Sequence, residues 1–232
     1  MSSEWSSSYR EWAAAPGITA WTSVSGPRPV RVLPDGCLDL IWTDGALSVA
    51  GPDTAARLVP DESARRRVGL RFAPGVGPAV LGLPASELTD RHVAAADALP
   101  SGRGRSLERG LRHTGGMGEE VVAGLLASLD PAPADRVVLR LALLAADGTP
   151  LPLIGRELGL SPRQVHRRSV AAFGYGPKRL HRISRFQRAL RELRAGVPAA
   201  ECAVRNGFSD QAHLSREARA LAGVPIRDLL TG

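Results

Sequence analysis

The chain has 232 residues, of which 44% are hydrophobic and 23% charged, with a net charge of +7. That balance excludes disordered and fibrous chains and leaves room for one large domain or two modest ones. No apolar run approaches the roughly 20 residues of a bilayer span, and Met1-Ser-Ser-Glu-Trp5 lacks the basic-then-apolar order of an export signal. Cys37 and Cys202 lie far apart, which argues against a disulfide framework and for a reduced, cytoplasmic setting.

The charge is unevenly placed. Residues 151–232 carry +9 and residues 1–150 carry −2. A near-neutral front and a basic back suggest two domains, the second facing a polyanion.

In chain order, residues 1–100 read as β-rich. Pro29–Leu33, Cys37–Trp42 and Ala46–Ala50 are short apolar runs separated by Pro34-Asp35-Gly36 and Thr43-Asp44-Gly45, a hairpin signature. Val68–Phe72 is a further strand, and Pro84–Thr89 opens a short helix. Ser101–Arg105 and Thr114–Gly118 read as loops, with helices near Ser106–Arg112 and Glu119–Leu129. Asp130–Asp135 is the linker, its prolines stopping one helix and Asp135 capping the next. From Arg136 onward helical periodicity dominates.

The back half holds an internal repeat. Ile154-Gly155-x3-Gly159-x5-Val165, with Leu158 and Leu160 at the bend, has the spacing of two short crossed helices: Ile154, Leu158 and Val165 face a small core, and Gly159 makes the tight turn. Ser161 caps the second helix and Pro162 suits its first position. The second copy is Ala203-x3-Gly207-Phe208-Ser209-Asp210 followed by Leu214, with Asp210 as the cap. Val165 and Leu214, Arg167 and Arg216, and Gly174 and Gly223 are each 49 positions apart. Between the copies, Leu180, Ile183, Phe186, Leu190 and Leu193 recur at helical spacing over Lys178–Ala195, while Arg179, Arg182, Arg185, Arg188, Arg191 and Arg194 crowd the other face. Such a helix is about 27 Å long and could hold two reading helices near one turn of B-DNA apart.

These residues resemble the AraC/XylS family of bacterial transcription regulators. The matching stretches are Leu158–Arg167, Phe173–Lys178 and Ala203–Arg216. Leu33–Trp42, Arg71–Gly75 and Leu81–Pro84 are similar to the front domain of one subgroup. The resemblance implies an α+β chain: a β-rich N-terminal domain for ligand sensing or dimerisation over residues 1–130, then an all-α DNA-binding domain over 131–232 with two helix-turn-helix motifs joined by a long helix. Reading helices would lie near 161–172 and 210–221, each in one major-groove segment of promoter DNA. The first would present Arg163, Gln164, His166, Arg167 and Arg168; the second Gln211, Ala212, His213, Ser215 and Arg216. Arg can grip guanine and Gln adenine through two hydrogen bonds. Arg168, His213 and the connecting-helix arginines fit phosphate contacts better. A small-molecule effector, RNA polymerase and a second copy of the chain are further partners the resemblance admits, in a nucleoid-associated, cytoplasmic protein without cofactor, metal or catalytic residues. The sequence departs from the family pattern at Arg168 and Ser169, where bulky apolar residues are usual, and at Ala218 and Ile226.

Two rivals stay open. One is an enzyme using Cys37 in the front half, although no base is evident beside it. The other is a DNA-coating protein without sequence preference. The five histidines show no metal-ligand spacing, and Asp35, Asp39 and Asp44 lack the order of a calcium loop. Trp5, Trp12, Trp21 and Trp42 cluster early and suit a core or interface better than a ligand pocket. The helices near 106–112 and 119–129 are candidates for a dimer contact.

Overall fold

The computed structural model describes residues 8–24, 29–60, 65–113, 118–129 and 134–230. Trp5, the loop residues 114–117 and the linker residues 130–133 lie outside them. The front half begins with β1 (Ser8–Ala15), β2 (Ile18–Val24), β3 (Val30–Val32), β4 (Leu38–Thr43), β5 (Ala46–Ala50), β6 (Arg57–Val59) and β7 (Arg66–Phe72). There follow α1 (Gly77–Leu81), β8 (His92–Ala94), α2 (Ala95–Ala98), α3 (Arg103–Arg112) and α4 (Glu119–Ser128). Six strands form an antiparallel sheet in the order β1-β2-β7-β4-β5-β8, and β3 pairs with β6 separately.

Alternation decides the sheet's faces. Leu38, Leu40 and Trp42 of β4 and Val68, Leu70 and Phe72 of β7 point inward, where they meet Leu107 and Leu111 of α3 and Val121, Val122 and Leu125 of α4. The apolar stripes of α3 and α4 are therefore used inside this core, leaving their polar faces outward. On the opposite face Trp21 lies over Gly69, where a Cβ would sit 2.5 Å from the indole, and donates to Asp39 Oδ1 at 2.7 Å. Trp42 is in the core, Trp21 is buried, and Trp12 packs partly buried against the core.

The β4–β5 connection is the hairpin expected from Asp44-Gly45, both residues at positive φ, as a two-residue type I′ turn requires. Pro34-Asp35-Gly36 does not make one. The strand before it pairs with β6 rather than β4, and the Asp35 carboxylate instead accepts the Cys37 N–H at 2.9 Å. β1, β2, β6, β8, α1 and α2 add to the elements expected from the sequence.

The described back half is helical: α5 (Arg136–Asp147), α6 (Leu151–Glu157), α7 (Pro162–Phe173), α8 (Pro177–Arg194), α9 (Ala199–Arg205) and α10 (Gln211–Ala222). The fold is thus α+β, a β-rich front followed by two helix-turn-helix units, α6–α7 and α9–α10, joined by α8. Asp135 caps α5 by accepting from Val137 N at 2.8 Å. Leu180, Ile183, Phe186 and Leu190 of α8 share one core with Ile154, Val165 and Phe173. Ala189 and Leu193 share a second with Cys202, Ala203, Phe208 and Leu214.

The halves exchange side chains. Leu139 packs partly buried against the front core, and Leu33 against the back one. Gln187 of α8 donates to the Pro34 carbonyl at 2.8 Å. Tyr175 is buried with its hydroxyl 3.3 Å from where a Gly36 Cβ would stand.

Ser169 fills one of the positions where the sequence departs from the apolar pattern. It is fully buried, and its Oγ finds no partner among the described residues. Its equivalent in the second copy is Ala218, also fully buried. A buried hydroxyl without a partner costs about 1–3 kcal/mol, so Ser169→Ala is expected to stabilise the protein by about 1 kcal/mol in chemical denaturation; destabilisation would mean that the hydroxyl is satisfied in solution.

Candidate DNA interface

Each helix-turn-helix unit is built from the same local parts. Gly159 and Gly207 adopt φ of 64° and 72° at the bends, a region that a side chain would strain. Ser161 Oγ accepts from Gln164 N while Gln164 Oε1 accepts from Ser161 N, a reciprocal capping box. In the second unit Asp210 Oδ1 accepts from His213 N at 2.6 Å, and His213 Nδ1 accepts from Ser209 N at 3.3 Å. Gln164 and His213 are repeat equivalents, and both side chains hold the start of a reading helix.

The inner faces are Val165, Ser169, Ala172 and Phe173 in α7, and Leu214, Ala218, Leu221 and Ala222 in α10. At 3.6 residues per turn, the opposite faces carry Arg163 and Arg167 in α7 and Ala212 and Arg216 in α10, all exposed. Gln164, His166 and Gln211 are exposed too, whereas Arg168, His213 and Ser215 are half-buried. His166 and Arg168 sit on opposite flanks of α7. His166 turns toward Gly176, beside an open groove of about 880 Å³ walled by Leu151, Leu160 and Val165 and bordered by Lys178 and Arg179. Arg168 is bound to Asp135 as an ion pair. Its repeat equivalent, Glu217, accepts from Arg182 at 2.6 Å. Position 168/217 therefore ties a reading helix to its neighbour in both units. One exposed basic residue was overlooked: Arg219 follows Arg216 by three positions on the same helix, a spacing the sequence displays.

Five of the six connecting-helix arginines, expected to meet phosphates, have internal partners, Arg182 through Glu217. Arg188 reaches the Ala145 and Ala146 carbonyls at the end of α5 and donates to Asn206 Oδ1 at 3.2 Å. Arg185 donates to the Gly207 carbonyl at 3.1 Å and lies over the Phe208 ring at 4.2 Å. Arg194 reaches the Leu229 carbonyl at 3.5 Å, and Arg179 the Thr54 carbonyl at 3.5 Å. Burial pushes the Arg185 and Arg188 guanidinium groups below their usual range, the direction of charges held in the protein rather than in water. The reason for these internal bonds is geometric. A helix C-terminus leaves carbonyls without intrahelical donors, and the long arms on α8 lie beside several such ends.

Cys37 shows no sign of an activated nucleophile. Burial, then the nearby Asp35 charge, pushes its thiol well up, opposite to the shift a thiolate catalyst needs. Cys202 is buried in the second small core. Among the described residues no group of three or more His, Cys, Asp or Glu could hold a metal ion, and no helix is long and apolar enough to cross a membrane.

A helix-turn-helix domain family profile matches residues 154–231, from α6 through the end of the second unit. The C-terminal half carries an AraC-type helix-turn-helix domain. A domain of unknown function (DUF6597) matches residues 17–94, which hold β2 to β8. No curated protein matches the chain. Among solved structures, an apo point variant of ToxT from Vibrio cholerae strain SCE256 is 10% identical with a TM-score of 0.50, covering 95% of this chain and 98% of that one. ToxT from Vibrio cholerae O395 is 10% identical with a TM-score of 0.49, covering 94% and 100%. At that identity the first likeness speaks for the fold alone. The helix-turn-helix domain supports DNA binding and a role in transcription regulation.

Internal and DNA-facing arginines should separate experimentally. Arg188→Ala is expected to cost about 1–3 kcal/mol of stability, as the loss of charged hydrogen bonds does, and to leave the salt dependence of DNA binding unchanged. A phosphate contact would instead lower that slope by nearly one. Equilibrium unfolding and a salt titration of DNA affinity read the two effects apart.

Proposed function

We propose that the protein is a sequence-specific regulator that sets α7 and α10 into two successive major-groove segments of promoter DNA, with residues 131–232 as the DNA-binding domain and residues 1–130 as the domain that controls it. The observation that carries this reading is the equivalence of the two exposed faces. Arg163, His166 and Arg167 in α7 correspond, 49 residues on, to Ala212, Ser215 and Arg216 in α10. Arg163, Arg167 and Arg216, with Arg219 added, are the base-reading or phosphate-gripping arginines. Gln211 stands at the first turn of α10, where side chains reach base edges, and Ala212 suits a thymine methyl. Gln164, Arg168 and His213 have a double duty: each is fastened within the protein and borders the same face. The separate cores on either side of residues 130–137 support the two-domain division.

Control through the front domain needs only a ligand that binds one arrangement of the two halves better than another. A small-molecule effector or a second copy would act on the same equilibrium, and contact with RNA polymerase would follow on DNA.

In vitro selection from random duplexes with the full chain is expected to return one operator with two elements about one helical turn apart, preferred over random DNA by about 10³-fold or more. Uniform binding to every duplex would assign the chain to the DNA-coating class. On the selected operator, Arg216→Ala is expected to cost about 1–3 kcal/mol and to relax the preference at one base pair. An equal loss on all sequences would reassign Arg216 to phosphate.

A further inference from the structure

Both reading helices end on the front half. Gly174 ends α7 and Gly223 ends α10 at equivalent places in the repeat, each with a left-handed cap. The Gly174 carbonyl accepts from Thr89 Oγ1 at 2.9 Å, and Pro52 packs so closely that a Cβ on Gly174 would sit 2.8 Å from it. At the end of α10, the Leu221 carbonyl accepts from Ala56 N at 2.6 Å and the Ala222 carbonyl from Arg31 Nη1 at 2.8 Å. The guanidinium also sits at the negative end of the helix dipole.

One short loop spans both ends. Residues 51–57 place Pro52 against Gly174, the Thr54 carbonyl near Arg179, and Ala56 on Leu221. The loop is itself pinned. Asp90 accepts from Thr54 N at 2.6 Å and from Thr54 Oγ1 at 2.8 Å, Gly51 N donates to the Arg91 carbonyl at 2.9 Å, and Arg57 meets Asp53 at 3.5 Å. A Cβ on Gly51 would collide with the Leu88 carbonyl at 1.7 Å, so the loop lies flat on the turn that carries Thr89 and Asp90. Two helix ends are thereby fastened to one stiff piece of the front half, while their opposite faces stay open.

We infer that this clasp of the front half sets the distance and rotation between the two reading helices, so that Thr89, Arg31 and the backbone of Ala56 are positioning groups for DNA recognition. The inference rests on the two-groove reading. Removing or adding one base pair between the operator elements shifts them by about 3.4 Å and about 34°. A rigid pair of helices tolerates that poorly, and a pair held by α8 alone would tolerate it better.

The test compares the full chain with the Arg31→Ala/Thr89→Val double variant on the selected operator and on operators one base pair longer or shorter between the elements, by fluorescence anisotropy. The wild-type chain is expected to lose about tenfold or more in affinity on the altered spacings, and the double variant less than about threefold. The lost charge of Arg31 affects all three duplexes alike and cancels in the ratio. Thr89→Val alone, nearly isosteric, is expected to move the ratio in the same direction and serves if the double variant does not fold. A wild-type ratio in the folded variants overturns the inference. So does tighter binding of the unaltered operator by the variants, which would make the clasp a restraint against binding. A wild-type chain indifferent to spacing but specific for one element would overturn the two-groove reading itself, a result the wild-type arm alone delivers.

Discussion

The assembly depends on who donates to the carbonyls at the ends of its helices. An α-helix leaves its last carbonyls without intrahelical partners, and burying them unpaired is costly. Here the donors come from elsewhere in the chain. Arg188 serves the end of α5, Arg194 the Leu229 carbonyl after α10, and Arg185 the bend of the second unit. Arg31, Ala56 and Thr89 serve α10 and α7 from the front half. Each bond gives a helix-end carbonyl a donor, and each joins two elements distant in sequence. The helix ends are therefore the junctions at which the small cores become one molecule.

That arrangement changes how the basic balance of the back half should be read. A charge of +9 over residues 151–232 points to a polyanion, in keeping with the helix-turn-helix domain matched there. Yet the guanidinium groups of Arg182, Arg185, Arg188 and Arg194 are committed to Glu217 or to backbone carbonyls. Arginine suits this use because its planar fork offers several donors and stays charged when partly desolvated. Arg163, Arg167, Arg216 and Arg219 face outward on α7 and α10, as do Arg156, Lys178, Arg191 and Arg227 outside these two helices.

Much of this was legible in the sequence, for reasons that differ by element. The reading helices could be bounded within a residue because their signals are local: a cap at Ser161 or Asp210, a proline at position 162, a glycine at the bend and a glycine past the end. The β4–β5 hairpin was equally local in Asp44-Gly45. β1 and β2 were not identified, since Trp12 and Trp21 sit among alanines, serines and threonines with weak alternation and acquire their faces only from pairing, β1 with β2 and β2 with β7. The wrong hairpin at Pro34-Asp35-Gly36 has the same origin: turn chemistry was present, but pairing with β6 is decided some 25 residues later. The arginine partners were illegible because a helical pattern says which face is polar and not what the polar face meets. A row of arginines opposite an apolar stripe reads the same whether water, phosphate or a neighbouring carbonyl lies beyond it.

The duplication also shows what the repeat keeps and what it varies. The positions that build each unit hold their role in both copies: Val165 and Leu214 in the core, Ser161 and Asp210 at the cap, Gly174 and Gly223 at the end. Position 168/217 keeps an ion pair although the charge is reversed, Arg168 with Asp135 and Glu217 with Arg182. The outward positions diverge, from Arg163 and His166 to Ala212 and Ser215, with only Arg167 and Arg216 alike. Conserving the frame while changing the exposed side chains is what two helices need if they are to meet different base pairs in one register. Gln164 and His213 belong to that frame: both hold the first turn of their helix by hydrogen bonds within the protein.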